Sequence, residues 1–317
     1  MSEPDVALGT LQLGDKLGSG GQGEVHRVTN RQGLVFKRYF LTTLNADSLR
    51  ALVEFPDSLD AFDRTALFTQ AAWPQCRVTD GGRVVGFLMK EVPAPFFGHT
   101  TAGPKLRELQ YLLYQPKPMW GDITPLDTMG RIQLAHALVK LMRSLHERFM
   151  VLGDISMRNL LWSPGNPPQI FILDCDGAHL AGHQPVLPQP ETPGWEDPHK
   201  PATGMDVDTD CYKIACAVGR ILAAHPEIRP GEQLRLLPSI PANIAVLAQA
   251  AFRDAAGTHG TRPALTRWAQ ALAGREMITL PKLSPLPPRP PSLPQVDIER
   301  RDRPRGTIQM PPSGNGP

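Results

Sequence analysis

The chain predicts an α+β protein, with a small β-sheet part carrying one helix, a mostly helical part, and a proline-rich tail. Three observations lead there. Short β-rich runs separated by glycine turns fill residues 10–92. Apolar residues recurring at three- and four-residue steps mark residues 93–278 as mostly helical. Eleven prolines crowd the last 37 residues, which rules out regular packing there.

In chain order, residues 1–9 are expected to be a flexible N-terminus. The runs Leu11–Leu17, Glu24–Thr29, Gly33–Phe40 and Val84–Met89 read as strands, punctuated by turns such as Asp80-Gly81-Gly82. Between them Asp47–Glu54 reads as a helix that stops at Pro56, because proline has no N–H to continue one. Further on, Leu126–His146 carries Ile132, Ala135, Leu138, Met142 and Leu145, continued by Phe149, as one apolar stripe facing a core. Asp210–Ala224 is apolar nearly all round and is expected to be a buried helix. Residues 279–317 are expected to form a disordered or polyproline-type tail.

Composition sets the outer bounds. With 317 residues, 41% of them apolar and 20% charged, the chain can bury a sizeable core, and wholesale disorder is excluded. Lys and Arg number 33 against 31 for Asp and Glu, a net charge of +2 that argues against a dedicated nucleic-acid or membrane-surface binder. The excess sits in the tail: Pro281–Pro317 has six basic residues against three acidic ones, leaving the body near −1. Cys76, Cys175, Cys211 and Cys216 form no C-x-x-C pair, so buried thiols in a reduced cytoplasm are expected. The longest apolar stretch, Ile214–Ala224, is broken by Arg220 and falls short of the ~20 residues of a membrane span. The opening Met1-Ser2-Glu3-Pro4-Asp5 lacks the basic and apolar regions of a signal peptide.

Three constellations carry chemistry. The first is Gly18-Ser19-Gly20-Gly21-Gln22-Gly23-Glu24-Val25, a G-x-G-x-x-G-x-V run whose glycines let backbone approach phosphate oxygens. A dinucleotide-binding turn would lead into a helix, whereas Glu24–Val28 is another strand-like run, so a hairpin flap over phosphates is the better reading. The second is Val35-Phe36-Lys37, a lysine ending an apolar strand, where an ammonium is expensive to bury without an anion. Beneath a phosphate flap, Lys37 is placed to hold α- and β-phosphates. The third joins Leu152-Gly153-Asp154-Ile155-Ser156-Met157-Arg158-Asn159 to the apolar strand Phe171-Ile172-Leu173, which closes on Asp174-Cys175-Asp176. Asn159 and Asp174 offer hard oxygens for Mg²⁺ (or Mn²⁺), and Asp154 can accept the proton of an attacking hydroxyl.

On these residues the chain resembles the protein kinase superfamily over about residues 10–275, and within it compact bacterial eukaryotic-like Ser/Thr kinases. The resemblance implies a bilobal fold, with an antiparallel-sheet N-lobe over 10–92 and a helical C-lobe over 93–278. It also implies transfer of the ATP γ-phosphate to Ser or Thr hydroxyls of a protein substrate. Leu17, Gly18, Gly20 and Gly23 would cover the nucleotide, and Val25 and Val35 would roof its adenine. Met89 would be the gatekeeper, with a hinge at Lys90–Val92, and Leu161 the floor. Asp154, Lys37 and Arg158 would be catalytic, Arg158 standing in for a catalytic-loop lysine that here is Ser156. Asn159 and Asp174 would bind the metal, and Glu54, with Asp47 as alternative, would be the helix carboxylate paired with Lys37. Asp210 would anchor the catalytic-loop backbone, and Glu196 or Asp197 would replace the glutamate that normally pairs with Arg262.

The chain also departs from that pattern. H-R-D reads Leu152-Gly153-Asp154, D-F-G reads Asp174-Cys175-Asp176, and A-P-E reads Asp197-Pro198-His199. Two alternatives therefore stand beside the protein kinase: a small-molecule phosphotransferase of the aminoglycoside or choline type, and an ATP-binding pseudokinase scaffold. Thr192 is the only hydroxyl-bearing residue between Asp174 and His199, and is the expected site of autophosphorylation or substrate docking in that segment. The Pro285–Pro291 run offers a docking tether for a partner protein.

Overall fold

The computed structural model describes residues 5–188 and 191–275. The expectations for residues 279–317, including partner docking, lie outside the described residues.

The described chain is α+β. Its main sheet has six strands: β1 (Asp5–Ala7), β2 (Leu13–Ser19), β3 (Gly23–Val28), β4 (Leu34–Tyr39), β5 (Cys76–Asp80) and β6 (Arg83–Lys90), in the order β1-β5-β6-β4-β3-β2. Every pairing is antiparallel except β1 with β5. The expected flexible N-terminus is therefore corrected from Asp5 onward. Val6 buries itself with Val28, Phe36, Val78 and Leu88 on the outer face of the sheet. The Asp5 carboxylate accepts two 2.6 Å bonds from the Arg77 guanidinium, which holds the strand in place. The β5–β6 turn is Gly81-Gly82, both at positive φ, as a two-residue hairpin demands.

Strand alternation sorts the side chains of β4. Phe36 joins the outer cluster, while Val35 and Tyr39 join the main core shared with the helices. Lys37, between them on the same face, is thereby turned inward.

Between β4 and β5 the chain forms α1 (Ala46–Glu54) and α2 (Ala61–Gln70), two helices where the sequence predicted one. Asn45 caps α1 through the Ser48 N–H at 3.0 Å, and Asp60 caps α2 through the Asp63 N–H at 2.8 Å. Only Leu67 of α2 is buried, so the helix has no full apolar stripe for a periodicity reading to find. Its seat is tertiary: Asp63 pairs with Arg148, from beyond the end of the Thr128–His146 helix, at 2.9 Å, and Leu67 joins the main core.

The remaining described chain runs β7 (Phe97–Thr100), β8 (Gly103–Leu106), α3 (Gln110–Leu113), α4 (Thr128–His146), β9 (Met150–Val151), β10 (Leu160–Ser163), β11 (Gln169–Ile172), β12 (His179–Leu180), α5 (Val207–Ala223), α6 (Ala242–Asp254) and α7 (Leu265–Leu272). The strands pair as three ribbons, β7–β8, β9–β12 and β10–β11. The stripe Ile132, Ala135, Leu138, Met142 and Leu145 is buried as expected. Phe149 is not part of it: the helix has ended, the residue sits at φ +58°, and its ring is 69% exposed. Helix α5 is buried from Thr209 to Leu222 and begins with a capping box between Asp206 and Thr209. All four cysteines are free and buried, and among the described residues no helix is long and apolar enough to cross a membrane.

Candidate functional site

A cleft of about 1020 Å³ opens between the main sheet and the helical part. Leu17, Gly18, Gly20, Gly23, Val25, Val35 and Lys37 contribute to its walls from β2, β3, β4 and the β2–β3 turn; Met89, Lys90 and Val92 contribute from the end of β6 and just beyond it; Asp154, Arg158 and Asp174 contribute from the segments flanking β10 and β11. Three other candidates do not line it. Leu161 is fully buried in β10 opposite Phe171, and Leu173 lines the cleft instead. Asn159 stands behind Asp154 and reaches it by hydrogen bonds. Glu54 is exposed at the end of α1 and makes no contact with Lys37, so it is not the lysine's partner; nor is the exposed Asp47.

The glycines of the β2–β3 turn have different physical grounds. A Cβ on Gly23 would collide with the Arg38 carbonyl of the neighbouring strand, so sheet pairing demands glycine there. Gly18, Gly20 and Gly21 have nothing within 4 Å of a Cβ and no positive φ. The described chain's own packing does not require glycine at these three positions.

Lys37 is 6% exposed and pairs with two carboxylates, Asp176 Oδ1 at 2.7 Å and Asp174 Oδ1 at 3.2 Å. Desolvation would depress the ammonium's pKa, but Asp176 and Asp174 outweigh it and hold the value above the usual lysine range. Asp176 is itself buried, and its second oxygen accepts the Tyr39 hydroxyl at 3.0 Å. Burial, and then the Asp176 charge, push the Tyr39 hydroxyl well above its ordinary pKa. Neither Asp176 nor Tyr39 was singled out as a site residue from the sequence. The available signal was the Asp174-Cys175-Asp176 doublet, with its second carboxylate two positions beyond the first.

The segment bearing Asp154 is held from α5. Asp210, fully buried, accepts the N–H of Leu152 at 2.7 Å and of Gly153 at 2.9 Å, while Lys213 donates to the Gly153 carbonyl at 2.8 Å. One carboxylate and one ammonium from successive turns of a buried helix thus fix three backbone groups. Asn159 Nδ2 donates to the Asp154 carbonyl at 3.0 Å and to its Oδ2 at 2.8 Å, and Thr192 Oγ1 donates to Asp154 Oδ1 at 2.9 Å. Both carboxylate oxygens of Asp154 are therefore acting as acceptors. The Leu173 N–H donates to the Asn159 carbonyl at 2.8 Å and ties the end of β11 to this loop. Asp174 follows in the left-handed region, φ +53°, with a side chain 56% exposed. Among the described residues no group of three His, Cys, Asp or Glu gathers as a metal cage.

The mouth of the cleft carries residues the sequence did not point to. Phe97, Pro104, Lys105 and Leu106 of the β7–β8 hairpin line it, followed by Glu108 and Tyr111. Burial pushes the Glu108 carboxyl above its usual pKa, against the opposing charges of Arg158 and Lys105. No family model matches the chain, and no curated protein matches it.

Proposed function

We propose that the chain is a protein Ser/Thr kinase, in a bilobal protein-kinase-like arrangement, that uses ATP with Mg²⁺ (or Mn²⁺). The observation that carries this reading is the convergence of Lys37, Asp154 and Asp174, distant in sequence, on one cleft beneath a glycine turn.

In the reaction the bond from the γ-phosphorus to the β–γ bridging oxygen breaks, a bond to the acceptor oxygen forms, and the acceptor proton leaves. Asp154 accepts the hydrogen bond of that hydroxyl and can take its proton; its contact with the Thr192 hydroxyl supports this role, since a Ser or Thr acceptor presents the same group. Lys37 and Arg158 supply positive charge for the phosphates, and Lys90 and Val92 present the backbone of the β6 end to the base. The donor chemistry suits a hard cation: the Asn159 amide nitrogen is spent on Asp154, which leaves its carbonyl oxygen, and the half-exposed Asp174 has one oxygen beyond its bond to Lys37. Such a cation neutralises phosphate charge when bound. The chain's own contribution is positioning and electrostatics, which phosphoryl transfer chiefly needs.

The test is transfer of radiolabel from γ-labelled ATP to a degenerate Ser/Thr peptide library by wild type, Asp154→Ala and Asp174→Ala. Labelling by wild type should fall at least ~10²-fold in both variants. Equal labelling in all three would reject the assignment, and labelling only of small alcohols or amino sugars would move the protein to the small-molecule class.

A further inference from the structure

Protein kinases as this chain resembles them pair the strand lysine with a carboxylate on the helix that follows. Here neither helix between β4 and β5 supplies one. Asp47 and Glu54 of α1 are exposed, and Asp63 of α2 pairs with Arg148 at 2.9 Å. Among the described residues the carboxylates paired with Lys37 are Asp174 and Asp176.

The two are not equivalent. Asp174 is more than half exposed and lies at 3.2 Å, whereas Asp176 is 3% exposed and lies at 2.7 Å. Asp176 is also bound from both sides by one strand, since Lys37 takes Oδ1 and Tyr39, two residues on, takes Oδ2 at 3.0 Å. Strand periodicity makes that fork possible, because residues i and i+2 project from the same face. The left-handed turn at Asp174 and the short 3₁₀ turn Cys175–Gly177 carry Asp176 back to β4, with the intervening Cys175 buried as an anchor.

We propose that Asp176 is the positioning residue for Lys37, so that the phosphate-binding lysine is set by the Asp174–Gly177 turn and not by a helix. The inference rests on the kinase reading and concerns regulation of that same site. Asp176 holds the ammonium within the cleft, and Asp174 keeps one oxygen for the metal. Tyr39 fixes the rotamer of Asp176. A conventional switch in which a helix swings its carboxylate in and out has no handle here, and displacement of the Asp174–Gly177 turn is the step that would disengage Lys37.

The experiment compares the full-length wild type with Asp176→Asn, Asp176→Glu, Tyr39→Phe, Asp47→Asn and Glu54→Gln. It measures the Kd of a fluorescent ATP analogue, KM for ATP, KM for the peptide library, kcat and the melting temperature. Asp176→Asn should weaken the analogue and lower kcat/KM for ATP by about 10²-fold, with the peptide KM unchanged. Asp176→Glu should recover part of that loss, and Tyr39→Phe should show the same pattern in milder form. Asp47→Asn and Glu54→Gln should stay within twofold of wild type. In a Lys37→Met background, Asp176→Asn should add no further loss, because its effect passes through the lysine.

If Asp176→Asn does not fold, Tyr39→Phe carries the decision. Wild-type values for the folded Asp176 or Tyr39 variant, or a large loss in Glu54→Gln or Asp47→Asn, overturn the inference and leave the kinase reading intact. A wild type that neither binds the analogue nor transfers phosphate overturns that reading itself, and the inference with it.

Discussion

Arg262 and Asp197, 65 residues apart, form a bidentate ion pair in which neither side chain is exposed, with Nη2–Oδ1 at 2.6 Å and Nη1–Oδ2 at 2.8 Å. The pair ties the segment after Thr192 to the loop before α7, and it answers which of Glu196 and Asp197 serves Arg262. Glu196 turns instead to Arg229 at 3.1 Å. A second carboxylate, Asp208, reaches Arg262 Nη1 at 2.7 Å from the start of α5.

Removing Asp197 takes both forked bonds from a buried guanidinium and leaves it Asp208 as its one remaining carboxylate among the described residues. Asp197→Ala is therefore expected to cost about 3 kcal/mol of unfolding free energy. Asp208→Ala should cost less, because that carboxylate is partly solvated. Urea unfolding of both variants checks the order, and a loss below ~1 kcal/mol for Asp197→Ala would contradict the role given to the pair.

The two grounds for glycine in the β2–β3 turn separate by measurement. Gly23→Ala forces a methyl group into the Arg38 carbonyl and should destabilise the fold by about 1–3 kcal/mol whether or not nucleotide is present. Gly20→Ala meets nothing within 4 Å, so its melting temperature should match wild type while its affinity for ATP falls. Thermal melts with and without ATP distinguish the pair, and a stability loss in Gly20→Ala alone would reverse the argument.

Glu108 gives a pH signature. Its carboxyl pKa is raised by burial, so the folded state favours the protonated form. The stability this lends is fully present below the ordinary carboxylate range and is lost as pH rises through the elevated value. Glu108→Gln cannot ionise, so its melting temperature should equal that of wild type near pH 4 and exceed it at pH 7. A gap that opens instead on acidification would mean that Arg158 and Lys105 outweigh the burial.

Much of the architecture could be read from residue order. Four strands, the helix ending before Pro56, the stripe of α4 and the all-round burial of α5 follow from periods of two and 3.6 and from proline's missing N–H, and these are local properties. That Lys37, Asp154 and Asp174 would need partners was legible for a related reason: a lysine on an apolar strand and carboxylates closing apolar runs are each expensive to bury alone. Strand β1 and helix α2 were not legible, because three residues and one buried leucine leave no periodic signal.

Residue order alone thus determined which charged and polar side chains are available and which segments carry them. Only the folded chain decided which of them meet. Asp176 was one acid among 31 until the turn after β11 brought it to 2.7 Å from Lys37, and Glu54 lost that place because α1 ends with it facing solvent. Pairing across more than a hundred residues is set by how sheet and helices bury their apolar faces together, a property of the whole core that no local stretch encodes.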